Sequence, residues 1–441
     1  MPKAQAVDIN RYQQALKGIK TLSVLGRVSQ VVGLTIEVKG IKAALGEICY
    51  IYTDGPEPLP AEVVGFRNNT VITMPLGDLK GISPGSQVVA AGETFSVAVG
   101  RELLGHVLDG LGRPLKNENF SGLSRRPVDA PPVNPLNRTR IKDVLSTGIK
   151  SIDSLLTCGE GQRVGIFSGS GVGKSTLLGM IARHSDADVN VIGLVGERGR
   201  EVGEFLERDL GEEGLKRSVV VAATSDQPAL IRIKGALVAT TIAEYFREQG
   251  LKVMLLMDSV TRLATAQREV GLAIGEPPTT KGYTPSVFAM LPKLLERAGN
   301  LGKGSITGFY TVLVEGDDFN EPVADSVRSI LDGHMVLTRA LAARNHFPAI
   351  DVLESSSRLM LDITPQEQQE LSGRLKNLLA VYREAEDLIN IGAYVEGSDE
   401  KIDEARKCYA KINEFLCQNI HEHVPYDRAI LMLQEVFADE G

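Results

Sequence analysis

Residues 165–182 read GIFSGSGVGKSTLLGMIA: a short apolar run, a glycine-rich turn and a helix-compatible segment in direct succession. In that order, glycines free the backbone N–H groups of the turn to point inward at a phosphate, and the following helix presents its positive dipole end to the same place. Lys174 is placed to reach the β- and γ-phosphates of a nucleotide, and the Ser175 hydroxyl to ligate Mg2+. The strict pattern asks for glycine five positions before Gly173, where Ser168 stands, but Gly169, Gly171 and Gly173 remain. An intact Gly-Lys-Ser between strand and helix outweighs a chance glycine-rich turn. The stretch predicts a magnesium-dependent P-loop ATPase whose loop comprises Gly169, Ser170, Gly171, Val172, Gly173, Lys174, Ser175 and Thr176.

Around this loop, apolar runs at residues 164–167, 189–195, 219–223, 253–257 and 307–314 alternate with long helix-compatible segments such as PALIRIKGALVATTIAEYFREQG, residues 228–250. That alternation predicts a buried, mainly parallel sheet with helices on both faces. The run KVMLLMD ends in Asp258, and a carboxylate ending a strand beside the P-loop suits a magnesium site. NVIGLVG is followed by Glu197 within GERGREV, at the sheet edge where open α/β proteins place ligands. There Glu197 could polarise an attacking water, or it could be one solvated charge of a surface loop, and local pattern leaves both open. Arg262 in DSVTR and Arg358 in PAIDVLESSSR are candidate phosphate cations, because guanidinium is always charged and forked. For any single arginine a surface ion pair is the default reading.

Before this region, residues 22–99 carry brief alternating apolar segments punctuated by glycine, proline and an Asn-Asn pair, which predicts a small closed β-barrel. GHVLDGLGRPL and the proline-rich PVDAPPVNPLN then read as a covalent strap, since proline density disfavours helix and central strand. From residue 364 strand signals vanish, and EQQELSGRLKNLLAVYREAEDLIN and DEKIDEARKCYAKINEFLCQNI repeat apolar residues three and four apart, as a helical bundle does. The expected divisions are an N-terminal extension at 1–21, the barrel at 22–99, the ATPase domain at 100–363 and the helical domain at 364–441.

The chain has 441 residues, 43% of them hydrophobic, enough for two or three domains. Its net charge of -8, from 48 basic and 56 acidic residues, argues against nucleic acid as a partner. Four scattered cysteines with no CxxC pair signal neither zinc nor a disulfide framework. With no signal-peptide pattern and no apolar run near the roughly 18 residues that span a bilayer, a cytoplasmic location is expected.

Taken together, SGSGVGKST, GERGREV, LLMDSVTR, EPPTTKGYTPSVFAMLPKLLERAG, DDFNEPVADSVRSILDGHMVLTR and FPAIDVLESSSR resemble the α/β subunits of rotary ATP synthases. More closely, they resemble the type III protein export ATPases, and within those the flagellar members. The resemblance runs over nearly the whole chain. It implies a P-loop (RecA-like) core, N-terminal barrel and C-terminal helical bundle. It further implies ATP and Mg2+ bound by the loop residues above with Ser175 and Asp258 on the metal, Glu197 as catalytic glutamate, Arg262 near the γ-phosphate and Arg358 as an arginine finger for the neighbouring subunit. Phe347 falls where catalytic synthase subunits stack an aromatic on adenine, although the usual residue there is tyrosine.

The same resemblance implies a homohexamer, which suits a chain carrying both loop and finger. Implied partners are a stator-like regulator bound before residue 22, a central stalk protein and export gate, and chaperone–substrate complexes. Residues 276–286 resemble the pore-facing stretch, and peripheral association with the inner-membrane export apparatus is expected. Virulence-associated export and a rotary synthase catalytic subunit are the alternatives, the latter requiring an alternating hetero-hexamer. A nucleic-acid translocase would need a positively charged barrel with exposed aromatics, whereas this one offers Tyr50, Tyr52 and Phe66 with little net positive charge. A nucleotide-binding subunit without hydrolysis is disfavoured by Glu197.

Overall fold

Short alternating strands bounded by turn residues close on themselves at the N-terminal side of the chain. The strands are β1 (Leu25–Val32), β2 (Thr35–Lys39), β3 (Glu47–Ile51), β4 (Leu59–Arg67), β5 (Thr70–Pro75) and β6 (Gln87–Thr94), in the barrel order β1-β2-β5-β4-β3-β6. Every pairing is antiparallel. Asn68 and Asn69 both take positive φ in the two-residue turn between β4 and β5, the backbone twist that a tight hairpin needs. Val28, Ile36, Val38, Cys49, Ile51 and Val88 fill the interior. The computed structural model describes residues 24–116, 118, 120–131, 133–314 and 321–438, so the expected partner-binding extension at 1–21 lies outside the described residues.

The chain divides into two compact units at Phe95 and Ser96. Residues 96–99, which alternation alone groups with the barrel, form β7 (Ser96–Val99) and pair with β9 (Ser124–Pro127) instead. Part of the stretch read as a strap is also strand. β8 (Val107–Asp109) lies parallel to β12 (Ser218–Ala223) at the edge of the large sheet, a place that tolerates neighbouring proline.

That sheet runs β17-β16-β10-β15-β13-β11-β12-β8. Here β10 is Arg163–Ser168, β11 Val189–Val195, β13 Lys252–Asp258, β15 Gly304–Leu313, β16 Gly333–Leu337 and β17 Ile350–Ser357, with β14 (Gly299–Leu301) paired to β15. From β16 to β8 all neighbours are parallel, and β17 is antiparallel to β16. β11 and β12 are buried at every position, as continuous apolar runs covered on both faces must be.

The helices that matter for the site are α1 (Lys150–Leu155), α2 (Lys174–His184), α3 (Ala229–Glu248) and α4 (Val260–Ile274). They are followed by α5 (Gln366–Asn390), α6 (Glu400–Leu416) and α7 (Tyr426–Glu435). α3 packs across β11, β12 and β13. The last three helices carry the expected three-and-four spacing, and their apolar stripes join the core of the sheet. Leu375, Leu378, Cys408, Ile412, Phe415 and Leu433 lie in one continuous cluster with Ile152, Leu155, Val164 and Leu178.

Candidate nucleotide site

β10, the loop and α2 follow the order that the sequence dictates. Gly171 and Gly173 take φ of +80° and +92°, a left-handed backbone that a side chain would strain, and Gly173 caps α2. Ser168, standing where glycine is usual, ends β10 with its Oγ buried and without a hydrogen-bond partner among the described residues.

Parallel register brings three strand ends to one edge. Asp258 closes β13, Glu197 follows β11, and Lys174 opens α2 after β10. The Lys174 ammonium donates to Asp258 Oδ1 and stands 3.6 Å from Glu197 Oε1, an ion pair rather than a hydrogen bond. Burial alone would depress the lysine, but Asp258 and Glu197 outweigh it and hold its pKa above the ordinary value. Asp258 Oδ1 also accepts a 2.7 Å bond from Thr311 Oγ1, which fixes the carboxylate from the neighbouring strand. Thr311 was not singled out in the sequence, although a threonine inside the apolar run at 307–314 is the signal that could have found it.

Glu197 is pushed up to about 7, first by burial, with Asp258 and Glu201 adding and Lys174 opposing. Its Oε1 is buried and accepts no hydrogen bond among the described residues. The carboxyl is therefore neither a solvated surface charge nor saturated by the protein, and it has acceptor capacity for a water.

Arg262 starts from the same edge. Its backbone N–H donates to Ser259 Oγ in the first turn of α4, and its stem covers Gly196, where an added Cβ would come within 2.7 Å of Arg262 Cβ. Phe347 also approaches the loop, with ring atoms 3.6 Å from the position of a Gly173 Cβ.

Arg358 is not brought to this group. Ser168 lies level with Leu337 and Ile350, whereas Ser357 lies level with Gly333, so β17 runs away from the loop. The Arg358 N–H donates to Asp332 O, and the Asp332 carboxylate accepts from the N–H and guanidinium of Arg163, at the far end of β10. At about 3.3 Å per residue, the five steps from Arg163 to Ser168 put Arg358 roughly 16 Å from the loop.

For a divalent cation, the Ser175 hydroxyl in the first turn of α2 and the Asp258 carboxylate give an all-oxygen donor set. Magnesium prefers such a set when substrate phosphates and waters complete its shell. The residues present fit that ion.

Residues 148–357 match the ATP synthase alpha/beta family, nucleotide-binding domain. Residues 28–92 match the beta-barrel domain of the same family, and residues 364–435 the T3SS EscN ATPase C-terminal domain. The chain is 54% identical over 418 residues to the flagellum-specific ATP synthase of Bacillus subtilis (strain 168), covering 94% of this chain and 95% of the relative. It is 50% identical over 416 residues to the type 3 secretion system ATPase of Xanthomonas euvesicatoria, covering 94% of each. The structure of the assembled ATPase EscN in complex with its central stalk EscO, from the enteropathogenic E. coli type III secretion system, superposes with a TM-score of 0.86 at 46% identity, covering 93% of this chain and 99% of that one. The barrel, the loop-bearing parallel sheet and the C-terminal helices are thus each matched in order, and the chain belongs to the ATP synthase alpha/beta family, among its flagellum-specific and type III secretion ATPases.

Proposed function

We propose that this ATPase hydrolyses ATP·Mg2+ at the interfaces of a homohexameric ring and so energises type III protein export during flagellum assembly. The observation that carries the ring is the position of Arg358 at the sheet edge opposite Lys174, Glu197 and Asp258. It lies beyond reach of its own loop, and a head-to-tail ring brings the finger of one copy to the loop of the next.

Within such a site Lys174 holds the β- and γ-phosphoryl oxygens, and residues 169–176 wrap them with backbone N–H groups. Glu197 orients the water for in-line attack, and its unfilled Oε1 supports that role. Arg262 and the neighbouring copy's Arg358 stabilise charge on the phosphoryl group. Ser175 and Asp258 would hold magnesium, which when bound offsets the charge on the phosphoryl oxygens. Phe347 offers its face to the adenine.

On this reading the partners are other copies of the chain, a central stalk protein as in the EscN–EscO assembly, a stator-like regulator, the export gate and chaperone–substrate complexes. Nucleic acid is not among them. Work in the cytoplasm, peripherally at the inner-membrane apparatus, accords with the finding that no helix among the described residues is long and apolar enough to cross a membrane.

The test is specific ATPase activity against protein concentration, with molar mass measured in parallel, and rescue of motility in a flagellated strain lacking its own export ATPase. Activity that rises as a hexamer forms, together with restored swimming, is the expected result. A chain that stays monomeric and inert until a second type of subunit is added overturns the homohexamer, and an active hexamer that restores no swimming overturns the flagellar assignment.

A further inference from the structure

Phe347 is fixed from below by the C-terminal helices. The residue after α6 but one, Gln418, is 5% exposed and donates its backbone N–H to Phe347 O at 2.9 Å. Its side chain is also fully employed. Oε1 accepts from Lys150 N–H at 2.8 Å, and Nε2 donates to Gly148 O at 2.8 Å and to Glu422 O at 2.9 Å. One buried residue therefore joins three segments: its side-chain amide ties the start of α1 to the turn at 418–422, and its backbone N–H holds the Phe347 carbonyl. The adjacent His346, also 5% exposed, bonds Asn413 of α6 through Nδ1 at 2.8 Å. The same turn reaches α2, where the Arg183 guanidinium donates to Ile420 O at 2.6 Å and His184 stacks on His423 with ring centroids 5.2 Å apart. α2 thus meets the 418–423 turn at its last two residues, about three turns away from Lys174 at its start.

We infer that Gln418 is a positioning residue for the nucleotide base: it sets the height of Phe347 over Gly173, and through it the C-terminal helices govern how firmly the base is held while the phosphates are held independently by the loop. The inference rests on Phe347 being the adenine platform. The Gln418 amide is suited to the task because it supplies an acceptor and two donors at once. Glutamate would keep the size and the acceptor but bring no donor to the two carbonyl oxygens, and leucine would leave Lys150 N–H and Glu422 O without this partner and Gly148 O with only the 3.3 Å bond from Val424 N–H.

Glu197, Lys174 and the metal ligands are untouched by this arrangement, so KM and kcat should separate. The experiment measures ATP hydrolysis by the assembled full chain for wild type, Gln418→Leu, Gln418→Glu and Phe347→Ala, with magnesium tripolyphosphate as a competitive inhibitor that has phosphates and no base. The expected result for both Gln418 variants is a KM for ATP raised about fivefold or more, with kcat and the tripolyphosphate inhibition constant within about twofold of wild type. Should Gln418→Leu fail to fold, Gln418→Asn keeps the amide, falls one methylene short of its partners, and must raise KM in the same way. An unchanged KM in folded Gln418 variants, or equal weakening of ATP and tripolyphosphate, overturns the inference. If Phe347→Ala raises KM and the Gln418 variants do not, the inference alone fails. If Phe347→Ala leaves KM unchanged, the platform reading fails with it.

Discussion

Lys174 Nζ stands between two carboxylates, hydrogen-bonded to Asp258 and 3.6 Å from Glu197 Oε1, with all three side chains largely out of solvent. A single buried ammonium faces two acids, which together hold its proton, and it in turn opposes the rise of the Glu197 carboxyl. Removal of the cation therefore affects stability as well as phosphate binding.

Lys174→Ala should abolish nucleotide binding and destabilise the fold by about 3 kcal/mol, the scale of breaking a buried pair from one side. Isothermal titration with ATP·Mg2+ and a urea melt of the same sample check the two effects. Glu197, already shifted up by burial, takes a proton more readily in this variant, so the loss of stability should be smaller at acid pH.

Glu197→Gln should lower kcat by about 10²- to 10⁴-fold while leaving nucleotide affinity within a small factor, because the amide cannot accept the proton of the attacking water. Single-turnover hydrolysis and equilibrium binding separate these outcomes. Equal losses in both would remove Glu197 from the chemical step.

The Glu197 carboxyl, raised to about 7, also sets a pH dependence. For wild type, kcat/KM should fall about tenfold per pH unit below that value as the acceptor is protonated, and Glu197→Gln should lose this limb. Stability moves the other way. A carboxyl whose folded pKa exceeds its unfolded one binds its proton more tightly in the native state, so its contribution is full below the unfolded pKa and is lost as pH rises through about 7. Urea midpoints recorded between pH 5 and 8 for both proteins test the sign.

Arg358→Ala should keep nucleotide binding and lose about 10³-fold or more in turnover, the range an arginine finger supplies. Mixing it with Lys174→Ala should regain activity above the sum of the two separate proteins, since some interfaces then pair an intact loop with an intact finger. Strict additivity would place Arg358 outside the neighbouring site.

Gly179 in the middle of α2 faces the backbone of Asp209, and an added Cβ would lie 2.5 Å from Asp209 O. Gly179→Ala should therefore cost about 1–3 kcal/mol by overpacking, more than the roughly 1 kcal/mol that alanine gains in a helix. Thermal melts decide this, and a stabilised variant would contradict the packing described.

Much of the fold could be read from periodicity because both units bury regular surfaces. Strands covered on two faces leave continuous apolar runs, and the helices after residue 364 leave three-and-four spacing. The candidate site was legible where motif and strand end coincide, at Lys174 and Asp258, which the fold brings into contact. Glu197 was undecided between solvated and buried until parallel register placed it beside Lys174. Thr311, Gln418 and Asn413 escaped notice because polar residues in buried strands and helix ends carry no local pattern. Pairings across 53 residues for Thr311 with Asp258, 67 for His346 with Asn413 and 268 for Gln418 with Lys150 give them a role.

β17 begins three residues after Phe347 and ends one residue before Arg358. Four of its eight residues pair with β16, two on either side of a bulge at 352–355, so the strand advances only the four steps from Leu337 to Gly333, about 13 Å, between the ring proposed to meet the base and a guanidinium. In the proposed ring, this bulged edge strand is the short covalent path from the base of one site to the cation lent to the next.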